Sequence, residues 1–352
     1  MPVESIAAIR RRVGAVLRDE LRTGRRRTLI LLAVDGIPAA LAKAYWPAAT
    51  ITDFRSVFPA TSSTAWLSSL TGAEVDFHGI PGVIFAADDH TYPPDLLNIF
   101  EHRKTLRVPD TGHLFADARS CGYEPVAIVG DLEPLDCTWR EILLAEAHRV
   151  TGYPFYAAAT PLSPATLCDR LRSALRKAQE SAGAPQLIWC FIDADRHIHG
   201  HGYDDELLAF LGELDALAAL LAEQDLLVFA YSDHGLVLTR HNPALEELLL
   251  HRLPGEFGYM MGGAGRTRWL YCRPGTQDAL AAALAETLPG SIRIELSDAR
   301  FAIGSAAYRR VGELLLIAEG DEFLALPGYT HDHGSLTAPE MEIPLARWGH
   351  DA

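Results

Sequence analysis

Residues 28–36 read TLILLAVDG, a short continuous apolar run that breaks on an Asp-Gly pair. A run of this length without polar alternation reads as a strand buried on both faces, which is the pattern of a parallel sheet. Three further runs repeat it: PVAIV at 125–129, QLIWCFI at 186–192 and DLLVFAY at 225–231. Between them, residues 165–182 and 205–221 carry helical patterns. Strands alternating with helices predict an α/β fold whose central sheet is mostly parallel, with helices on both faces. Upstream, Ile6, Ile9, Val13, Val16, Leu17 and Leu21 recur at spacings of three and four, which predicts an amphipathic leading helix over 5–21 with its arginines on a solvated face.

The chain has 352 residues, 49% hydrophobic and 22% charged, so disorder and collagen-like repeats are excluded. Its length predicts two domains, or one large α/β domain with an insertion. From about residue 240 to 320 the character changes to strand-like pieces at 268–272, 292–296 and 313–318 around a helix-like stretch at 276–288. The expected division is an N-terminal helix over 1–24, a catalytic α/β core over 25–238 and 322–352, and an inserted α+β cap over 239–321. Acidic residues number 46 against 31 basic, giving a net charge of −15. Such a surface repels nucleic-acid polymers and anionic lipid, and a phosphate-bearing ligand needs a local source of positive charge. The 14 histidines direct attention to metal ions. The five cysteines are odd in number and scattered without a CxxC pair, which fits a reducing compartment. Residues 1–27 hold no apolar core of signal-peptide length, and no run approaches the roughly 20 residues of a membrane span. A cytoplasmic protein with no membrane partner is expected.

Four clusters carry chemistry. In VFPATSSTAWLSSLTGAEVDFHGI, residues 57–80, the hydroxyls of Thr61, Ser62, Ser63 and Thr64 open a helix that Gly72 stops. A hydroxyl there meets unpaired backbone N–H groups and the positive end of the helix dipole, which suits a nucleophile that attacks phosphate, though such residues also serve as plain N-caps. In IDADRHIHGHG, residues 192–202, two carboxylates and three histidines follow a buried strand. Asp195 and His199 are four apart, as are Asp193 and His197, and either spacing can bring two ligands to one metal. Asp233-His234-Gly235 ends another strand, and His331-Asp332-His333-Gly334 lies near the C-terminus. Ligand sites of open α/β sheets lie outside the carboxyl ends of strands, so these clusters are expected to converge with Asp35.

In chain order, the motifs are Val34-Asp35-Gly36, Phe58-Pro59-Ala60-Thr61-Ser62 through Thr71-Gly72 and His78-Gly79-Ile80, Asp195 to His199 with Gly202, Asp233-His234-Gly235, and His333-Gly334 with Met341. Together they resemble the alkaline phosphatase superfamily, in particular its type I phosphodiesterase and nucleotide pyrophosphatase branch, over residues 28 to 345. The resemblance implies an alkaline phosphatase-like core and two divalent metal ions, usually zinc. One would be held by Asp195, His199 and His333, the other by Asp35, Asp233 and His234 together with the nucleophile. Counting through the motif places the nucleophile on Ser62, with Thr61 as the fallback. The metal-ligand motif is read as Asp195/His199, with Asp193/His197 and Gly200 as the other register.

A serine hydroxyl coordinated to a divalent cation is a usable nucleophile at neutral pH, so the resemblance implies hydrolysis of a phosphomonoester or phosphodiester through a phosphoseryl intermediate. The expected partner is a small phosphorylated substrate, with a homodimer as the assembly envisaged. Two departures bear on substrate. Ala65 stands where nucleotide pyrophosphatases carry a phosphate-contacting asparagine, and Ser62 stands where they carry threonine. No sulfatase-type Cys-x-Pro-x-Arg or Ser-x-Pro-x-Arg surrounds Ser62. Phosphonate hydrolysis or phosphoryl transfer at the same centre is one alternative, and a catalytically silent metal-binding protein another. Gly262 to Arg266 reads as a turn in the cap, Arg266 and Arg268 as structural ion-pair formers or contacts to an anionic leaving group, and Trp66 as core.

Overall fold

The computed structural model describes residues 3–89, 91–101, 106, 108–151, 164–180 and 183–349. Its centre is an eight-stranded sheet in the order Glu4–Ser5, Thr50–Arg55, Glu342–Trp348, Leu227–Tyr231, Leu29–Val34, Gln186–Ile192, Glu124–Ile128 and Arg149–Thr151. Leu29–Val34 pairs in parallel with both neighbours, Leu227–Tyr231 and Gln186–Ile192, and the parallel run continues through Glu124–Ile128 to Arg149–Thr151. Glu342–Trp348 is antiparallel to the strands on both sides of it. The four strands expected from the apolar runs are all present, and the fold is the mostly parallel α/β architecture anticipated.

Every residue of Leu29–Val34 is buried. Because side chains alternate across a strand, Leu29, Leu31 and Ala33 point to one layer, with Ile9, Val13, Leu17, Trp66 and Leu70 from helices Ala8–Thr23 and Ser62–Thr71. Ile30, Leu32 and Val34 point to the other, with Leu171 and Leu175 of Pro164–Glu180 and Leu211 and Leu214 of Asp205–Glu223. The leading helix starts at Ala8, later than expected. Glu4 and Ser5 instead extend the sheet edge beside Phe54 and Arg55, and Ile6 N–H donates to the Arg55 carbonyl.

The segment read as a cap forms a four-stranded antiparallel sheet in the order Met260–Ala264, Thr267–Tyr271, Leu314–Ala318 and Ile292–Leu296. Leu270, Leu314 and Leu316 pack with Leu280 and Leu284 of helix Gln277–Thr287. Trp269, Tyr271, Leu315 and Ile317 belong to the same apolar cluster as the first layer of the main sheet. Alternation across the strands thus welds this sheet to the core.

Of the stretch read as a turn, Gly262 to Ala264 belong to strand Met260–Ala264 and only Gly265-Arg266 turn into the next strand, where Arg266 is structural. Its guanidinium is 1% exposed and bonds Glu340 at 3.3 Å, Thr239 Oγ1 at 2.9 Å and the Gly320 carbonyl at 2.8 Å. Its backbone N–H donates to the His333 carbonyl. Arg268 likewise donates to carbonyls, those of Gly265, Thr267 and Leu324. A Cβ at Gly265 would collide with the His333 carbonyl oxygen, so glycine is required where the turn passes that strand. Arg266→Met leaves the Glu340 carboxylate buried without its counter-charge and is expected to cost about 3–5 kcal/mol. Denaturant unfolding checks this, and a change under about 1 kcal/mol contradicts the assignment of Arg266 as a strut.

Candidate active site

Helix Ser62–Thr71 begins beside the carboxyl ends of the parallel strands, with Thr61 in extended conformation as its N-cap. Ser62 is half-buried, and its Oγ lies 3.3 and 3.5 Å from the two oxygens of Asp35 and 3.2 Å from His234 Nε2. Thr61 Oγ1 is buried and lies 3.1 Å from both Ser63 Oγ and Thr64 Oγ1. Of the two hydroxyls left open by the sequence, Ser62 faces the acid and imidazole groups, and Thr61 turns into the helix start.

Asp195 opens the short helix Asp195–His201, and one helical turn puts His199 beside it, Nε2 to Oδ2 at 3.0 Å. His199 Nδ1 donates to the His331 carbonyl at 2.7 Å and His333 Nδ1 to that of Ala60 at 2.8 Å. A carbonyl partner requires the proton on Nδ1, which aims each Nε2 into the site. His333 Nε2 lies 3.7 Å from Asp195 Oδ1, and its ring stacks on that of His234 at 3.8 Å. His234 Nε2 in turn lies 3.1 Å from Asp233 Oδ2 and 3.7 Å from Asp35 Oδ1. The other register points elsewhere: His197 Nε2 lies 2.9 Å from Asp204, and Asp193 accepts the Arg196 backbone N–H.

Ligand atoms of Asp195, His199 and His333 lie within 4.8 Å of one another, and so do those of Asp35, Asp195 and His234. Asp195 thus stands between both groups, a position its sequence did not indicate. The donor set of carboxylates and imidazoles suits a divalent metal. Two buried carboxylate oxygens, Asp195 Oδ1 and Asp233 Oδ2, accept no well-formed hydrogen bond among the described residues, their nearest contacts being the imidazole nitrogens of His333 at 3.7 Å and His234 at 3.1 Å. An orphaned buried oxygen is costly, and a cation would satisfy both.

The electrostatics point the same way. Burial, reinforced by the charge of Asp233, holds the Asp35 carboxyl well above the usual range. Burial and the neighbouring Asp195 push Asp233 up to about 7. Burial would also raise Asp195, but the imidazoles of His199 and His333 outweigh it and hold it low. Burial opposes the charge on His199, yet Asp195 beside it raises that imidazole to about 9. Burial, then the His333 imidazole, holds His234 well below the ordinary value.

Further residues complete the site. Trp66, read as core, is fully buried and also donates its indole N–H to Asp35 Oδ2 at 3.2 Å. Asp332 accepts the His333 backbone N–H at 2.9 Å. Tyr329 stacks on His199 at 4.0 Å. The Tyr203 hydroxyl donates to the Gly36 carbonyl and accepts from Leu236 N–H, tying the loop after Asp35 to the loop after His234. Asp332 lay inside a motif, but the tyrosines carried no local signal because their partners are distant in sequence.

The family described as type I phosphodiesterase / nucleotide pyrophosphatase matches residues 30–325, and the chain belongs to it. It is a hydrolase acting on phosphoric ester bonds, of a metal-dependent family. A search of curated proteins finds no significant match. Among solved structures, murine ectonucleotide pyrophosphatase / phosphodiesterase 5 is 14% identical, with 92% of this chain and 88% of that chain covered and a TM-score of 0.65. Phosphonoacetate hydrolase from Sinorhizobium meliloti 1021, in complex with phosphonoacetate, is 18% identical, with coverage of 92% and 90% and a TM-score of 0.66. The human ectonucleotide pyrophosphatase / phosphodiesterase 5 is 14% identical, with coverage of 91% and 87% and a TM-score of 0.60. These likenesses establish a shared fold. Among the described residues no helix is long and apolar enough to cross a membrane.

His199→Ala is expected to lose one bound ion and at least about 100-fold in turnover, whereas His197→Ala keeps both within about threefold. Elemental analysis and an aryl phosphodiester assay on the same samples check this. Because Asp195 raises His199 to about 9 while Asp35 and Asp233 are also displaced upward, and ligands must be deprotonated, metal binding should release at least one proton at pH 7 and tighten as pH rises from 6.5 to 8.5. Calorimetry in buffers of different ionisation enthalpy measures the proton count, and a count of zero contradicts the raised values of these groups.

Proposed function

We propose that the protein is a two-metal phosphodiesterase or phosphomonoesterase that works through Ser62 and a covalent phosphoseryl intermediate. The observation that carries the reading is Ser62 Oγ, 3.3 Å from Asp35 and 3.2 Å from His234 at the start of a helix. Two divalent cations, zinc by the imidazole and carboxylate donor set, would make the serine hydroxyl nucleophilic and offset phosphoryl charge. Asp195, His199 and His333 would hold one, and Asp35, Asp233 and His234 with Ser62 the other.

Ser62 Oγ attacks phosphorus and the leaving-group oxygen departs, giving a phosphoserine. A water then displaces Ser62 from phosphorus, which releases the phosphate product and restores the hydroxyl. Asp35 accepts the Ser62 O–H before attack, and the first turn of Ser62–Thr71 offers backbone N–H groups and its positive dipole end to the anion. Asp332, the Ala60 carbonyl and the His331 carbonyl hold His333 and His199 in orientation.

The substrate is a small phosphorylated molecule rather than a polymer. The murine fold neighbour has been captured as an inactive variant with AMP and the bacterial one with phosphonoacetate, so ester and phosphonate chemistry both occur on this fold. Ala65, buried and without a polar side chain, weakens a nucleotide-specific reading, and phosphonate hydrolysis, the activity named for the bacterial fold neighbour, is the second reading. All five cysteines are unpaired and buried, which supports a reducing compartment and so the cytoplasm.

Ser62→Ala is expected to lower turnover by at least about 1,000-fold with metal content unchanged, and Thr61→Ala by less than about tenfold. Rates on an aryl phosphomonoester, the matching diester and a phosphonate monoester rank the substrate classes. Full activity in Ser62→Ala, or two bound ions with no hydrolysis across the panel in the unaltered protein, refutes this reading.

A further inference from the structure

We propose that Trp66 is a positioning residue for Asp35, setting that carboxylate through its indole N–H as well as filling the core. The inference rests on Asp35 being a metal ligand, as proposed above. Trp66 is fully buried in the second turn of the nucleophile helix, and its Nε1–H donates to Asp35 Oδ2 at 3.2 Å. Packing alone explains the ring but not the choice of an indole, whose N–H needs a partner when buried. Here the partner is a carboxylate of the site.

The ring has little freedom to move. It meets Tyr231 edge-on at 5.2 Å, Phe191 at 5.8 Å and Trp189 at 6.2 Å, with interplanar angles of 82°, 83° and 80°. Phe191 and Tyr231 lie on the two strands that flank Leu29–Val34, so the strands leading to Asp195, Asp35 and Asp233 also build the box around Trp66. A directed hydrogen-bond chain closes it. Trp189 N–H donates to the Tyr231 hydroxyl at 3.1 Å, Tyr231 to Ser69 Oγ at 3.0 Å, and Ser69 to the Trp66 carbonyl at 2.8 Å.

The consequence appears during turnover. Among the described residues, the Asp35 carboxylate accepts from two side chains, the Ser62 hydroxyl and the Trp66 indole. Once Ser62 Oγ is esterified to phosphorus it has no proton to give, and the indole N–H still donates to Asp35 Oδ2. Trp66 therefore keeps the metal-binding angle of Asp35 fixed through the half of the cycle in which the nucleophile is occupied.

The test measures metal binding to the full-length apoprotein by competition with a chromophoric chelator, using zinc as the probe. Asp35→Asn first identifies which binding step runs through Asp35. Trp66→Phe, which keeps an aromatic ring but no N–H, is expected to weaken that step by about 10–100-fold and leave the other within about threefold. Phe191→Leu, which loosens the same box without touching the N–H, should shift neither step selectively. Trp66→His, smaller but still a ring N–H donor, should weaken the Asp35 step less than Trp66→Phe does, and it remains informative if the Phe variant folds poorly. Unchanged binding in Trp66→Phe, equal weakening of both steps, or no recovery in Trp66→His overturns the role of Trp66. If Asp35→Asn itself leaves both steps intact, the ligand assignment under the proposed function fails instead.

Discussion

Three carboxylates share one buried pocket, and the rest of the molecule accommodates that fact. Asp35, Asp195 and Asp233 follow three adjacent parallel strands, so strand direction alone delivers them to the same end of the sheet. Burying carboxylates side by side costs several kcal/mol for each uncompensated charge. The upward displacement of Asp35 and Asp233 expresses that cost, and the low value of Asp195 marks where imidazoles already offset it. A protein of net charge −15 has no surplus of cationic side chains to bring in. Divalent metal is the economical solution, and it would at once supply the positive potential that an anionic ester needs.

The surrounding architecture serves to keep those groups from relaxing apart. Two of the imidazoles reach the site from distant parts of the sequence, His199 from the short helix Asp195–His201 and His333 from near the C-terminus. The backbone of His333 is held by the Arg266 turn, so the antiparallel sheet supports the candidate site through main-chain contact. Arg266 itself is anchored on Glu340, a second buried charge pair a short distance along the chain from the site. The aromatic cluster beneath Ser62–Thr71 does the same for Asp35. Rigid apolar packing thus fixes the polar groups whose repulsion would otherwise spread them.

Much of this was legible before folding. Uninterrupted runs such as TLILLAV and QLIWCFI, too short for typical helices, read as strands covered on both faces, and their Asp endings mark the ligand-binding edge. Helix Asp205–Glu223 follows directly from its spacing, with Asp204 as N-cap. The start of the leading helix was less legible, because residues 4–5 pair with a strand some fifty positions away. Tyr203 and Tyr329 were silent because each acts through partners that sequence spacing does not reveal. Trp66 was legible as core but not as a donor, since nothing in its neighbourhood announces Asp35.

Fold class, family and the set of acids, imidazoles and hydroxyls available follow from apolar periodicity and local motif spacing, which are short-range properties of the chain. Motif counting already favoured Ser62 over Thr61 and Asp195/His199 over Asp193/His197, and the tertiary structure adds the directions in which these side chains point. In both cases two neighbouring residues have equivalent chemistry, and the difference lies in direction. Thr61 turns toward Ser63 and Thr64, and His197 toward Asp204, while Ser62 turns toward Asp35 and His234 and His199 is braced by the distant His331 carbonyl with its Nε2 toward Asp195. Direction in space depends on which elements pack together, and that is settled by burial across the whole sheet rather than by any local pattern.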